Sequence, residues 1–156
     1  MNIRLATEKD CAQVLLIAKE VQTYHRSNRP DIFTDIEPYS KDFYFSLLNE
    51  NSTFLYVACD DNDTAIAYCI ISLHNYSNIV MLNRRSILMI DDLSVKDEYK
   101  RNGIGTSLFQ FINEFGKEKS VNAIELSVWH FNDEANKFFQ AMGMESKSHE
   151  YELILK

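Results

Sequence analysis

Two hydrophobic rhythms alternate along this chain, and together they predict its elements. Residues 87–95 read Ile-Leu-Met-Ile-Asp-Asp-Leu-Ser-Val. That run is apolar, β-branched at Ile87, Ile90 and Val95, and too short for an ordinary helix, so it predicts a strand. In residues 104–117, Ile104, Leu108, Ile112 and Phe115 recur at intervals of four, four and three, the signature of one helical face. Upstream, residues 2–6 predict a short strand. Thr7 followed by Asp10 resembles a capping box with Asp in place of Glu or Gln, opening a helix that carries Cys11, Val14, Ala18 and Val21 inward and ends near Tyr24. Pro30 and the polar run before it make residues 25–33 a loop.

A second helix is expected over residues 40–49, with Phe43, Leu47 and Leu48 inward. Strands follow at 53–59 and 65–74, around the polar turn Asp60-Asp61-Asn62-Asp63. Residues 75–85 read as an extension and loop. Downstream, 121–129 predicts a strand in which Ile124, Leu126 and Val128 alternate with Glu125 and Ser127. Residues 132–142 predict a helix that Gly143 ends. Residues 145–155 alternate weakly, with Tyr151, Leu153 and Leu155 on one side, and predict a final strand or strand pair. The sum is an α/β chain of order β-α-α-β-β-β-α-β-α-β, a mixed sheet with helices on both faces, in one domain spanning residues 1–156.

Composition narrows the function classes. The 156 residues are 46% hydrophobic with few Gly or Pro, enough for a sizeable core. The apolar run at residues 14–18 is closed by Lys19 and Glu20, so neither a signal peptide nor a membrane span is expected, and the protein reads as cytoplasmic. Cys11, Cys59 and Cys69 lack paired metal spacing, and the four histidines are scattered, so no structural metal is expected. The formal charge of -7 comes without a basic stripe, which argues against a nucleic-acid partner and suits a cationic one. A homodimer stays open.

The candidate chemistry lies between the strand of 87–95 and the helix of 104–117. Lys100-Arg101-Asn102-Gly103-Ile104-Gly105-Thr106 delivers two glycines to the first turn of a helix. There the unpaired backbone N–H groups and the positive end of the dipole favour an anion, phosphate above all. A Walker loop is excluded, because no Gly-Lys-Ser/Thr follows at the required spacing. A dinucleotide fingerprint would need glycine at Leu108, and Glu125, near where a ribose-binding acid would stand, falls inside a strand.

The segment instead resembles the pyrophosphate loop of the GNAT superfamily of N-acetyltransferases, with Val95 in place of the valine that ends the preceding strand. Residues 132–144, Asn-Asp-Glu-Ala-Asn-Lys-Phe-Phe-Gln-Ala-Met-Gly-Met, resemble that family's second signature. The resemblance implies a sheet splayed at its fourth and fifth strands and acetyl transfer from acetyl-CoA to a primary amine, on a small molecule or a peptide. It assigns cofactor contacts to Leu93, Ser94, Val95, to residues 100–106, and to Asn132 and Phe138. Lys100 departs from the usual Gln or Arg, keeping a cation but losing the planar fork.

Acetyl transfer to an ammonium with pKa near ~10.4 requires a base, since neutralising it at pH 7 costs about 4 to 5 kcal/mol. Asp91 and Asp92 interrupt the apolar strand, which is costly unless they are partnered or used. Strand neighbours point to opposite faces, so one acid is expected in the cleft. Asp91, four residues before Val95 where several relatives carry a catalytic Glu, is the candidate, and structural hydrogen bonding remains the alternative for both. Phe139 stands where many relatives have a Tyr that protonates the departing thiolate, leaving Tyr99, Tyr151 or His130 as substitutes. The other reading is a non-catalytic acyl-CoA sensor that has lost this acid.

Overall fold

The computed structural model describes residues 1–77, 80–81 and 83–155. Five strands form one sheet in chain order: β1 (Asn2–Leu5), β2 (Thr53–Cys59), β3 (Ala65–Asn75), β4 (Ser86–Val95) and β5 (Ala123–Leu126). The first four are antiparallel, and β4 and β5 run parallel. The Asp60–Asp63 turn closes the β2–β3 hairpin as predicted: the Asp60 carboxylate accepts the N–H groups of Asn62 and Thr64, and Asp63 takes a left-handed φ of 60°.

Helices cover both faces. On one, α1 (Cys11–Asn28) and α2 (Lys41–Leu47) bury Val14, Ile17, Tyr44 and Leu47 against Leu55, Val57, Tyr68 and Ile70. On the other, α3 (Ile104–Glu118) buries Leu108, Ile112 and Phe115 against Cys69, Ile71, Leu88 and Ile90, and α4 (Asp133–Ala141) lays Phe138 and Phe139 beside them. The alternating strand residues divide between two cores, which is why the central strands are apolar on both sides.

Four expectations are corrected. First, α1 runs to Asn28 rather than Tyr24. Ser27 and Asn28 donate side-chain hydrogen bonds to the carbonyls of Thr23 and Tyr24 at 2.8 and 2.9 Å, so the polar run continues the helix until Pro30. Second, α2 turns Tyr44 inward and leaves Phe43 exposed, because the Tyr44 hydroxyl reaches the Thr7 carbonyl at 2.7 Å. Third, residues 145–155 join no strand, and their large apolar side chains stand in solvent. The expected strand at 121–129 is shorter, four residues. Of the 75–85 connection, residues 78, 79 and 82 lie outside the described residues. Among those that are described, no helix is long and apolar enough to cross a membrane.

At the open end of β1, Asp10 is 2% exposed and accepts both Arg4 guanidinium nitrogens, at 2.8 and 2.9 Å, and the Thr7 N–H. Burial opposes its charge, but Arg4 and Thr7 outweigh that and hold the carboxyl below its usual range.

Candidate active site

The site is a parting in the sheet. β5 pairs with β4 only from Ile87 to Ile90, so from Asp91 to Val95 the outer edge of β4 has no strand beside it among the described residues. The expected splay between fourth and fifth strands is present. It begins at a bulge: Ile71 pairs with Ile90 and Ile70 with Asp92, leaving Asp91 as the extra residue.

That bulge overturns the expectation that the two acids face opposite ways. Asp91 accepts the Ser72 hydroxyl at 2.6 Å; Asp92 accepts the hydroxyls of Tyr39 at 2.9 Å, of Ser94 at 2.8 Å and of Tyr68. Tyr68 and Ser72 lie four residues apart on β3 and so share the face covered by α1 and α2. Both carboxylates therefore look the same way.

Their surroundings differ. Asp92 is half-buried and held by three donors, and burial together with this carboxylate pushes the Tyr39 and Tyr68 phenols well above their ordinary value. Asp91 is exposed, and Ser72 is its one donor among the described residues. With the Ser72 proton given to Asp91, the His74 Nε2–H, 2.8 Å away, donates to the Ser72 oxygen. A hydrogen-bonded line thus runs from Asp91 to an exposed imidazole.

Beyond β4 the chain makes one short turn at residues 97–99, and the glycine loop follows. Arg101 has φ 64° and Gly103 φ 77°, both left-handed, and Gly103 caps α3. The Asn102 amide braces the turn by donating to the carbonyls of Tyr99 and Lys100, both at 3.2 Å. The first N–H to be taken up is that of Ser107, which bonds the Gly103 carbonyl at 3.0 Å. No described acceptor takes the backbone N–H groups of residues 101–106, so six amides are left without a protein partner at the positive end of a helix dipole. A Cβ built on Gly103 would meet nothing within 4 Å, while one on Gly105 would touch Phe138 at 3.5 Å and Val95 at 3.8 Å. Phe138 and Val95 thus form the floor behind the loop, and a diphosphate fits the donors in front.

Lys100 is 2.5 Å from Asp97, and Arg101, 85% exposed, is 3.3 Å from Glu134. Both cations stand at the loop's rim. The Asn132 side-chain carbonyl caps α4 by accepting the Ala135 N–H at 3.1 Å, and its amide NH2 has no described acceptor. Leu93 and Val95 pack into the α3 core while their backbone lines the parting. Phe139 packs against Phe109 and Phe138 and offers no proton. Of the substitutes, Tyr99 is half-buried beside the loop, His130 is exposed after β5, and Tyr151 lies on the solvent-exposed tail.

A model of the acetyltransferase (GNAT) family matches residues 18–144. The chain belongs to the GNAT family. It is accordingly an acetyl-CoA-dependent acetyltransferase, as the two motifs imply. A mutant BH1408 protein from Bacillus halodurans has the same fold, with a TM-score of 0.97 and 30% identity over the whole of both chains. An uncharacterized N-acetyltransferase of Lactobacillus delbrueckii subsp. lactis is 23% identical over 92% of this chain and 84% of its own. The aminoglycoside 6'-N-acetyltransferase AAC(6')-Ih of Acinetobacter baumannii shares the fold at a TM-score of 0.73 and 19% identity, over 99% of this chain and 97% of its own.

Three features of this acetyltransferase went unforeseen: the Ser72–His74 line, the Tyr39 contact, and an aromatic cluster. In the cluster Trp129 stacks on Phe131, Phe33 meets Trp129 edge-on at 5.1 Å, and His25 lies 4.9 Å from Phe33. Burial lowers the His25 pKa, and the Asp92 charge partly opposes it. The cluster joins the end of α1, the loop after it and the segment after β5, which are remote in sequence. Only the density of aromatics at 24, 33, 129 and 131 hinted at it.

Proposed function

We propose that the chain, acting as one domain over residues 1–156, moves an acetyl group from acetyl-CoA to a primary amine of a small molecule or a peptide, by direct attack in a ternary complex. The observation that carries this reading is the row of free amides at residues 101–106, set beside the unpaired edge of β4 with Asp91 on the same strand. The amides, Lys100 and Arg101 would take the diphosphate, Asn132 a further polar contact, and the backbone of Leu93, Ser94 and Val95 the extended arm. The acetyl group is supplied by the cofactor when bound.

Asp91 has unshared lone pairs facing solvent and the Ser72–His74 line behind it, so it is the group suited to receive the ammonium proton, directly or through one water. Asp92, saturated by hydroxyls, supplies fixed negative charge. Two acids on one face and the rings of Phe33, Trp129 and Phe131 suit a cationic acceptor. The aminoglycoside acetyltransferase of like fold supports that class. Calorimetry with coenzyme A, then thiol release from acetyl-CoA across a panel of amines, tests the proposal. Absence of heat with coenzyme A or its acyl derivatives refutes it.

Phe139, packed against Phe109, cannot protonate the departing thiolate. A thiol with pKa near ~8.5 leaves tolerably as an anion near neutrality, which keeps catalysis feasible without a hydroxyl here. Binding of coenzyme A without turnover on any amine would refute the proposed acceptor class.

A further inference from the structure

Free amides hold a ligand in one place only if the loop that carries them is itself held, and most hydrogen bonds of this loop are internal. The β4 ladder ends where the Lys96 N–H bonds the Ile66 carbonyl at 2.9 Å. From there to residue 101 the chain closes on itself: the Tyr99 N–H donates to Lys96, the Lys100 N–H to Asp97, and the Asn102 amide to Tyr99 and Lys100. The ion pairs of Lys96 with Glu98 and of Lys100 with Asp97 are equally local. Bonds of this kind fix the shape of a turn and leave its place on the molecule open. Arg101 reaches Glu134 on α4, but a pair with one partner 85% exposed contributes little. Tyr99 packs against the α3 core, an apolar contact without directional preference.

Among the described residues, one backbone hydrogen bond ties the turn to a distant element. The Asp97 N–H donates to the Glu20 carboxylate of α1 at 2.8 Å, across 77 positions of sequence. Asp97 opens the short helical turn of residues 97–99, where the first N–H has no acceptor within its own turn. At α2 and α4 such groups are capped from within, by Ser40 and Asn132. Here the cap comes from another helix, and that helix is firmly seated: α1 is 18 residues long and buries Ile17 and Ala18, just ahead of Glu20, in the core. A carboxylate acceptor makes the bond one of the stronger class. Its charge nevertheless opposes that of a diphosphate nearby, so what Glu20 contributes to the loop is placement. Four residues along the same face of α1, the Tyr24 ring meets Phe131 with centroids 6.0 Å apart. The helix therefore touches both lips of the parting, the turn after β4 through Glu20 and the segment after β5 through Tyr24.

We propose that Glu20 is a positioning residue for the cofactor: by pinning the Asp97 N–H to α1, it presets the amides of residues 101–106 relative to the open edge of β4. The inference rests on the reading of those amides as the diphosphate site. With the tether in place the loop is ordered before the cofactor arrives, and binding does not bear the cost of ordering it. Glu20 contacts neither the thioester nor the amine in this reading. Its loss therefore falls on cofactor affinity and spares the chemical step.

The test compares the intact protein with Glu20→Ala and Glu20→Gln by calorimetry with coenzyme A, steady-state kinetics, thermal melts and amide hydrogen exchange. Glu20→Ala should weaken coenzyme A binding and raise the KM for acetyl-CoA about tenfold, the low end of what a hydrogen bond to a charged group contributes. Its kcat and amine KM should stay within about threefold of wild type, while exchange at residues 97–100 quickens. Glu20→Gln keeps an oxygen for the Asp97 N–H and should restore affinity to within about threefold of wild type. Wild-type affinity in Glu20→Ala, with or without a lowered melt, overturns the proposal. So does a Gln variant as weak as the Ala one, or tighter binding in both, which would leave Glu20 acting through charge alone. Rapid exchange of the Asp97 amide in the wild-type protein also overturns it, and needs no variant to fold. Absence of heat from coenzyme A with the wild-type protein is a separate failure, that of the diphosphate site itself, and takes this inference with it.

Discussion

Replacing Asp91 by Asn tests the chemistry most directly, because it removes one charge from a position that contributes little else. The side chain is exposed and, among the described residues, accepts one hydrogen bond, from Ser72, and as the bulge residue has no cross-strand partner. The amide keeps an oxygen for Ser72, so the fold should change in stability by less than about 0.5 kcal/mol, as for exposed substitutions generally. Turnover should change much more. An alkylammonium acceptor is disfavoured as free amine by about 4 to 5 kcal/mol at pH 7, and a positioned base contributes about 100- to 10,000-fold. The expected result is a fall in kcat/KM of about 100-fold or more at pH 7, shrinking as pH rises toward ~10, where the amine deprotonates unaided. The KM for acetyl-CoA should stay within about threefold, since the loop's amides are untouched. Steady-state kinetics from pH 6 to 10, with Ser72→Ala as a companion that frees the carboxylate to rotate, provides the assay. A rate profile equal to wild type across that range would remove Asp91 as the base and with it the proposed proton line.

Other expectations are structural. Asp92→Asn should cost about 1 to 3 kcal/mol, because three hydroxyls lose a shared anionic acceptor in a half-buried site, and the melting temperature should drop accordingly. An unchanged melt would show the network to be incidental. Gly103→Val should lower coenzyme A affinity by at least about 100-fold, near 2.7 kcal/mol by calorimetry, since its side chain would cover the amides and also meet a left-handed backbone. Gly103→Ala separates backbone strain from cover. Arg4→Met should destabilise the fold by about 3 kcal/mol at pH 7, lowering Tm by about 6 to 12 °C, because Asp10 would remain buried without its cation. The folded Asp10 carboxyl titrates below its unfolded value, so the wild-type contribution is whole above about pH 4 to 5 and is lost as pH falls through the folded value. Melts at descending pH should therefore converge; a constant gap would refute the assignment.

The elements that sequence predicted best are those with one dominant rhythm. The face made by Ile104, Leu108, Ile112 and Phe115 is buried as spaced, and β4 occupies the apolar run of 87–95 with one residue added. The loop between them was legible because glycine at 103 has a geometric reason, a positive φ that other residues avoid. Failures came where rhythm carries no information. A bulge adds one residue without any mark in Ile-Asp-Asp-Leu, so the shared face of Asp91 and Asp92 was hidden. Ser72 and His74 are ordinary β3 residues until register sets them beside Asp91. The alternation of the tail is real, but a strand needs an edge to pair with, and residues 145–155 join none among the described residues.

The bulge at Asp91 also separates chemistry from architecture. Ladder positions answer to the residue across from them, and exchange at one disturbs two strands. Asp91 answers to nobody across the sheet: its neighbours Ile90 and Asp92 keep the register on either side. On the role proposed for Asp91, this side chain could be lengthened, shortened or neutralised to suit acceptors of different basicity while the surrounding ladder stays as it is.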